Sequence, residues 1–267
     1  MSQASGYEAW IISIGNELLI GKVTNTNLAW LGRKLTLLGY NVRRGLILSD
    51  DIEDIEWGFR TALGSNAKVI VSTGGLGPTF DDKTLEGVAA ALDEKLVLNE
   101  KSLEEIRKKY ERIGLSLNPA RIKMARIPES GKPLYNPVGT APGVYITKSD
   151  KHIFVLPGVP KEMKAIFETQ VERILKEIGP KIFFIEKTFT SIGIPESELA
   201  LFTNRLVREE PSVYIKSHPK CVESRGPIIE FHVTASSRNR REAEEKVERV
   251  VEKLMRYLIE KGAVIEE

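Results

Sequence analysis

The chain has 267 residues, of which 42% are hydrophobic, and its 39 basic and 37 acidic side chains leave a net charge of +2. That length suits one medium domain with one small one, and the charge balance gives no reason to expect nucleic acid or a membrane surface as partner. A single cysteine, Cys221, excludes an intramolecular disulfide framework. The first apolar run, Trp10–Ile14, lacks the basic flank of a signal peptide, and no run approaches the ~20 residues that span a bilayer, so a cytoplasmic protein is expected.

Trp10–Ile14 reads as a buried strand ending at Gly15. Asn25, Thr26 and Asn27 then offer capping side chains ahead of Leu28, Leu31, Leu35 and Leu38 at helical spacing, closed by Gly39. Val42–Leu48 reads as a second strand. Ser49-Asp50 reads as the cap of a helix whose Ile52, Ile55, Phe59 and Ala62 share one face. Lys68–Thr73 is a third strand, with the continuous apolar character of a parallel strand covered on both faces, and Thr84–Leu92 a third helix. This alternation predicts a parallel sheet wrapped by helices with right-handed crossovers, whose ligands bind at the carboxyl ends of the strands. Gly15 and Gly74 stand at two such ends.

A charged helix (Glu100–Ile113) follows, then two short strands around the loop Asn136–Gly143 and a strand at Ile153–Leu156. The turn Pro157-Gly158-Val159-Pro160 and a long helix reaching Ile178 complete a three-layer α/β/α domain, mostly parallel, over residues 1–178. Gly179-Pro180 breaks the pattern. Beyond it, strand (Ile182–Thr190), helix (Glu196–Val207), two strands (Ser212–Ser217, Ile228–Ala235) and helix (Arg240–Glu260) predict a small two-layer α+β domain over residues 181–267.

The loop Thr73-Gly74-Gly75-Leu76-Gly77-Pro78-Thr79-Phe80-Asp81-Asp82 carries the clearest chemical signal. Gly74, Gly75 and Gly77 remove side chains where a strand hands over to a helix, so backbone N–H groups can approach a phosphate. Successive amides and the helix start form an anion-binding concavity, to which Thr79 adds a hydroxyl. Asp81 and Asp82 beside a phosphate make sense if a divalent cation bridges them, because hard oxygen ligands suit Mg²⁺-like ions. The plainer alternative is a turn whose aspartate caps the helix. Walker A and G-x-G-x-x-G patterns are absent.

Glu17, just past the first strand, is placed to orient a substrate hydroxyl or ligate a metal. The Thr24–Asn27 cluster, Asn27 included, reads as a helix cap or as a contact. Of Asp50 and Asp51, one caps a helix and the other is available to join Asp81 and Asp82. Asn136, Gly139 and Thr140 lie in a stiff, amide-exposing loop suited to a second phosphate or ring contact. Pro157 and Gly158 open a helix that can present amides to an anion. His152, His218 and His232 lack metal-ligand spacing, and no nucleophile elbow is present, so neither zinc nor nucleophilic catalysis is expected. Residues 181–267 hold equal numbers of basic and acidic side chains, without a basic footprint for RNA.

Read together, Gly15-Asn16-Glu17-Leu18-Leu19 with Thr24–Asn27, the Thr73–Asp82 loop, Asn136–Gly143 and Leu156–Met163 resemble the N-terminal part of the CinA (competence/damage-inducible) family, within the MoaB/MogA-like molybdopterin-binding superfamily. The resemblance implies a KH-like small domain, here without a Gly-x-x-Gly clamp and so read as a structural or oligomerisation module. It also implies a homodimer. The chain stops at Glu267, so the nicotinamide-nucleotide amidase domain of many CinA proteins is expected to be missing, and deamidase activity is not carried over. CinA N-terminal domains are associated with metal-dependent hydrolysis of the pyrophosphate bond in ADP-ribose, and the related domain of FAD synthases with FAD hydrolysis. MogA-like proteins bind and adenylylate molybdopterin instead. The implied acidic positions are Asp50 and either Asp81 or Asp82; Glu17, from its place after the first strand, is a further candidate metal ligand, and the expected cations are Mg²⁺, Mn²⁺ or Co²⁺, with potassium as another candidate. The resulting expectation is a divalent-metal-dependent pyrophosphohydrolase acting on ADP-ribose or a related nucleotide pyrophosphate such as FAD; the alternative is a molybdopterin- or nucleotide-binding protein without hydrolytic activity.

Overall fold

A computed structural model of the chain describes residues 7–220 and 226–266. Cys221 lies outside the described residues. The chain folds as two compact units, one of residues 7–36 and 40–179 and the other of residues 37–39 and 180–266.

The larger unit opens with β1 (Glu8–Ile14), the single-turn helix α1 (Asn16–Leu19), α2 (Thr26–Leu37), β2 (Asn41–Leu48), α3 (Ile52–Leu63), β3 (Ala67–Thr73) and α4 (Thr84–Leu92). Next come β4 (Leu96–Leu98), α5 (Glu100–Glu111), α6 (Pro119–Lys123) and β5 (Arg126–Pro128), with β4 and β5 paired as a separate ribbon. β6 (Lys132–Leu134), β7 (Gly143–Lys148) and β8 (Lys151–Leu156) return to the main sheet. α7 (Pro160–Ile166), a π-helical turn (Phe167–Val171) and α8 (Glu172–Ile178) follow. The sheet order is β2-β1-β3-β8-β7-β6. Its first four strands run parallel, and β7 runs antiparallel to both of its neighbours, β8 and β6. The mostly parallel α/β architecture expected from the sequence is present.

Burial explains the strand sequences. β1 and β3 are buried almost throughout, so Trp10-Ile11-Ile12 and Val69-Ile70-Val71 run without polar alternation. Trp10, Ile12 and Ile14 pack with Ile55 and Phe59 of α3 and Val88 of α4 on one side of the sheet. Ile11 turns the other way, toward α2, whose Leu31 and Leu35 are fully buried. Trp30 of α2 meets Phe167 of the π turn edge-to-face at 5.2 Å between centroids.

Two local expectations change. Asn25 caps α2, its Oδ1 accepting from the Leu28 amide at 3.0 Å. Asp50 does not cap α3, which starts after Asp51 without a side-chain cap bond; its carboxylate accepts instead from the amide of Asn16, the first residue of α1.

The smaller unit comprises β9 (Phe183–Ile192), α9 (Glu196–Glu209), β10 (Val213–Pro219), β11 (Ile228–Ser237), α10 (Arg240–Glu260) and β12 (Val264–Glu266), with an antiparallel sheet ordered β10-β11-β9-β12. α10 buries Val247, Val250, Val251, Leu254 and Leu258 in a core shared with Phe189 and Phe231. Its other face is laced by pairs such as Arg240–Glu244 and Lys246–Glu242, the solvated stripe its charge pattern indicates.

What positions the site is the meeting of three strand ends at Gly74. Its amide donates to the Leu156 carbonyl at 3.1 Å. With φ at 113°, an added Cβ would stand 2.0 Å from the Ile14 carbonyl oxygen. Gly21 also has a positive φ, 70°, but nothing lies within 4 Å of an added Cβ. Gly74→Ala is therefore expected to cost about 2 kcal/mol more stability than Gly21→Ala, because the clash and a φ beyond the left-handed helical range act at Gly74 alone. Urea denaturation of the two variants measures the difference, and equal midpoints would show that the strand ends yield freely.

Candidate functional site

The strand order β2-β1-β3 reverses direction at β1, and the crevice outside the carboxyl ends of β1 and β3 is where open α/β sheets hold ligands. Gly15 and Gly74 stand at those two ends. The loop leaving β3 crosses this crevice, and the amides of Gly75, Leu76 and Gly77 make no hydrogen bond among the described residues. Bulk is excluded at Gly75, where a Cβ would stand 2.2 Å from Thr84 Oγ1, and one on Gly77 would stand 2.5 Å from the Asp82 carboxylate and displace it.

Three sequence-distant segments line one cleft of about 420 Å³. Gly75, Gly77 and Asp82 come from the glycine loop, Thr140 from the second loop, and Pro157 and Gly158 from the turn after β8. The remaining expected residues occupy supporting places. Asn27 is buried, and its Nδ2 donates to the Gly158 carbonyl at 2.8 Å, which fixes the turn against α2. Asn136 is 1% exposed, and its amide is saturated. Oδ1 accepts from Val138 N at 3.0 Å and Gly139 N at 2.8 Å, while Nδ2 donates to Ala141 O at 2.8 Å and Glu162 Oε2 at 2.7 Å. Asn136 and Gly139 thus shape the loop that presents Thr140.

The acidic residues divide. Asp82 faces the cleft, and its Oδ2 accepts from the Thr79 amide at 2.9 Å. Asp81 lies outside the cleft lining, exposed, with the Thr79 hydroxyl in reach of both carboxylates. That hydroxyl, then its own backbone amide, holds the Asp81 carboxyl below its ordinary range. Neither aspartate caps α4, which starts after Lys83 without a side-chain cap bond. Lys123 ties the loop down, donating to the carbonyls of Thr79 (3.1 Å) and Asp82.

Asp50 sits at the end of β2, where its Oδ2 accepts from the Asn16 amide at 2.8 Å. Burial raises its carboxyl; the Asn16 amide opposes this, and the charges of Glu17, Asp81 and Asp82 add to it. Glu17 folds back over Gly15, its carboxylate 2.4–2.7 Å from where a Cβ would be. The four carboxylates therefore share one region of negative potential. Among the described residues no three Asp, Glu, His or Cys side chains are arranged to hold a metal ion together.

Two contributors were not singled out from the sequence. Glu162 lines the cleft beneath the second loop, where it receives Asn136. Lys109, on the charged helix α5, donates to the carbonyls of Gly139 (2.7 Å) and Asn136, and burial lowers its ammonium pKa. Position within Leu156–Met163 was the available signal for Glu162. Lys109 had none, since a charged helix ordinarily faces solvent.

An α/β domain with a glycine-loop cleft at its topological switch point has that cleft where open α/β sheets bind ligands. Residues 10–177 match the family described as a probable molybdopterin binding domain, and the chain belongs to that family. A protein of Pyrobaculum arsenaticum is 46% identical over 250 residues, covering 94% of each chain. A protein of Aeropyrum pernix is 45% identical over 259 residues, covering 97% of this chain and 96% of its own. The crystal structure of the protein CinA, with unknown function, from Thermoplasma acidophilum is 47% identical, with a TM-score of 0.60 over 63% of this chain and 98% of that one. Among the described residues no helix is long and apolar enough to cross a membrane.

The raised Asp50 carboxyl sets a pH dependence. A native state that holds the proton more tightly than the unfolded chain loses stability as pH rises through the ordinary carboxylate range, near ~4, and just above it. Asp50→Asn removes that loss, so the stability difference in favour of the variant should grow between acidic and neutral pH. Denaturation midpoints measured across that range check this, and a difference that shrinks with rising pH would contradict it.

Proposed function

We propose that the chain is a divalent-metal-dependent pyrophosphohydrolase acting on ADP-ribose or a related nucleotide pyrophosphate. The observation that supports it most is the joining of the glycine loop, Thr140 and the Pro157-Gly158 turn around one cleft into which Asp82 faces. The unpaired amides of Gly75, Leu76 and Gly77 suit a pyrophosphate, and Thr140 adds a hydroxyl across the cleft.

The donor set suits a metal of the Mg²⁺ type. Such ions are held by one or two carboxylates plus substrate phosphates rather than by all-protein cages. Asp82 and Asp81 would hold it, with their separation governed by Thr79. When bound, a divalent ion supplies Lewis-acid polarisation of the phosphoryl oxygens. The protein's part is positional: Lys123 fixes the loop carrying both carboxylates, and Glu162 with Lys109 fixes the loop carrying Thr140. Asp50 acts at longer range through its charge on the same region.

A second reading, a molybdopterin- or nucleotide-binding protein without hydrolysis, is supported by the family match.

Purified chain incubated with ADP-ribose, FAD or NAD and Mg²⁺, Mn²⁺ or Co²⁺ should release AMP from at least one of them, resolved by chromatography. Asp82→Asn should lower that rate about a hundredfold or more, and Asp81→Asn by less, because Asp81 does not line the cleft. Metal-independent turnover refutes the metal dependence, full activity in an Asp81→Asn, Asp82→Asn double variant refutes these carboxylates as its holders, and no AMP from any of the three substrates refutes the hydrolase. Tight pterin binding without any turnover selects the second reading.

A further inference from the structure

The loop Asn136–Gly143 begins where sheet pairing stops. β6 pairs with β7 as far as Leu134, opposite Gly143, and β6 is the last strand of its sheet. Tyr135 is the first residue past that ladder, yet its backbone groups are both taken. Its amide donates to Gln170 Oε1 at 2.9 Å, and its carbonyl accepts from Gln170 Nε2 at 2.7 Å. A side-chain amide carries the same donor and acceptor as a peptide group, so Gln170 stands in for one residue of a neighbouring strand.

Gln170 reaches this place from the π-helical turn. Met163, Phe167, Val171 and Leu175 are fully buried at a spacing of four residues. In an unbroken α-helix of ~3.6 residues per turn, each such step rotates about 40° off the core-facing stripe. A turn closed by i→i+5 bonds takes in one more residue and absorbs that drift. The buried row thus continues from α7 into α8, with half-buried Gln170 beside it against the end of β6. From the other side Lys109 stands 4.7 Å from the centre of the Tyr135 ring while it donates to the carbonyls of Asn136 and Gly139.

We propose that Gln170 is a positioning residue for the cleft, a proposal that rests on reading the cleft as the site of pyrophosphate hydrolysis. By holding Tyr135 it fixes the direction in which Asn136 enters the loop. Asn136 then takes the amides of Val138 and Gly139, and Thr140 follows on the cleft wall. A positional error at Tyr135 is carried along this short chain of bonds to the hydroxyl that meets the substrate, where a shift of about 1 Å can cost on the order of a hundredfold in rate.

Three variants test it. Gln170→Leu removes both bonds with little change in volume, and Gln170→Glu keeps the acceptor and loses the donor. Thr169→Ala is the control on the same turn, at a hydroxyl that donates back along its own helix to Ala165 O at 2.7 Å. Amide hydrogen exchange at Val138 and Gly139, read by nuclear magnetic resonance, should quicken about tenfold in Gln170→Leu, less in Gln170→Glu and not in Thr169→Ala. The kcat/KM for ADP-ribose should fall about tenfold in Gln170→Leu, with no further loss when that change is added to Thr140→Val, because Gln170 acts through Thr140. Unchanged exchange, exchange quickened equally by Thr169→Ala, or fully multiplied losses in the double variant would overturn the proposal. Quickened exchange in a chain that turns over no pyrophosphate would remove the hydrolase and keep Gln170 as the residue that holds the loop.

Discussion

The site depends on one steric constraint: at Gly74 three parallel strands end so close together that no side chain fits. The Ile14 carbonyl lies against one side of this residue, the Leu156 carbonyl takes its amide, and Gly158 approaches its Cα. Everything that follows in the loop inherits its starting direction from that point. Gly75 passes beside Thr84, whose hydroxyl donates back to the Gly74 carbonyl at 2.9 Å, and Gly77 passes beside Asp82. The loop is thereby held at both ends, with its middle amides left over for a ligand. This differs from a flexible glycine loop that must be ordered on binding, because the conformational entropy is already lost in folding.

A second layer of polar contacts fixes the facing loop by other means. Asn136 uses all four hydrogen-bonding positions of its amide, Glu162 receives one of them, and Lys109 clamps two carbonyls. A buried amide satisfied in this way specifies a single loop geometry, whereas a half-satisfied one would leave it free to rearrange. The acidic residues show the opposite strategy. They are gathered but not closed into a cage, and their mutual repulsion is relieved by backbone amides at Asn16 and Thr79. Such an arrangement has the character of a site that a cation and an anionic ligand complete together.

Much of the fold was legible because long buried strands and amphipathic helices leave periodic patterns. β1, β3, α3 and α4 fall where Trp10–Ile14, Lys68–Thr73, Ile52–Ala62 and Thr84–Leu92 indicated. The ribbon of β4 and β5 was not legible, since three residues carry no period, and neither was the π turn at Phe167–Val171, whose sequence continues a helical pattern. The glycine loop announced itself through composition. The roles of its aspartates did not, because capping and cleft-facing aspartates look alike until Thr79 and Lys123 are placed. Asn136 stood out as part of an unusual loop, but only its partners show that it shapes the loop from within. Lys109 was invisible for a plainer reason: the fold buries one member of an otherwise solvated stripe.

The central claim is that metal and pyrophosphate complete one site on the glycine loop. Titration of Mn²⁺ followed by electron paramagnetic resonance, with and without a methylene analogue of ADP-ribose that cannot be cleaved, tests it without relying on turnover. The expected result is weak Mn²⁺ binding by the chain alone and much tighter binding with the analogue, reduced in Asp82→Asn. Mn²⁺ held equally well with and without the analogue would contradict the claim.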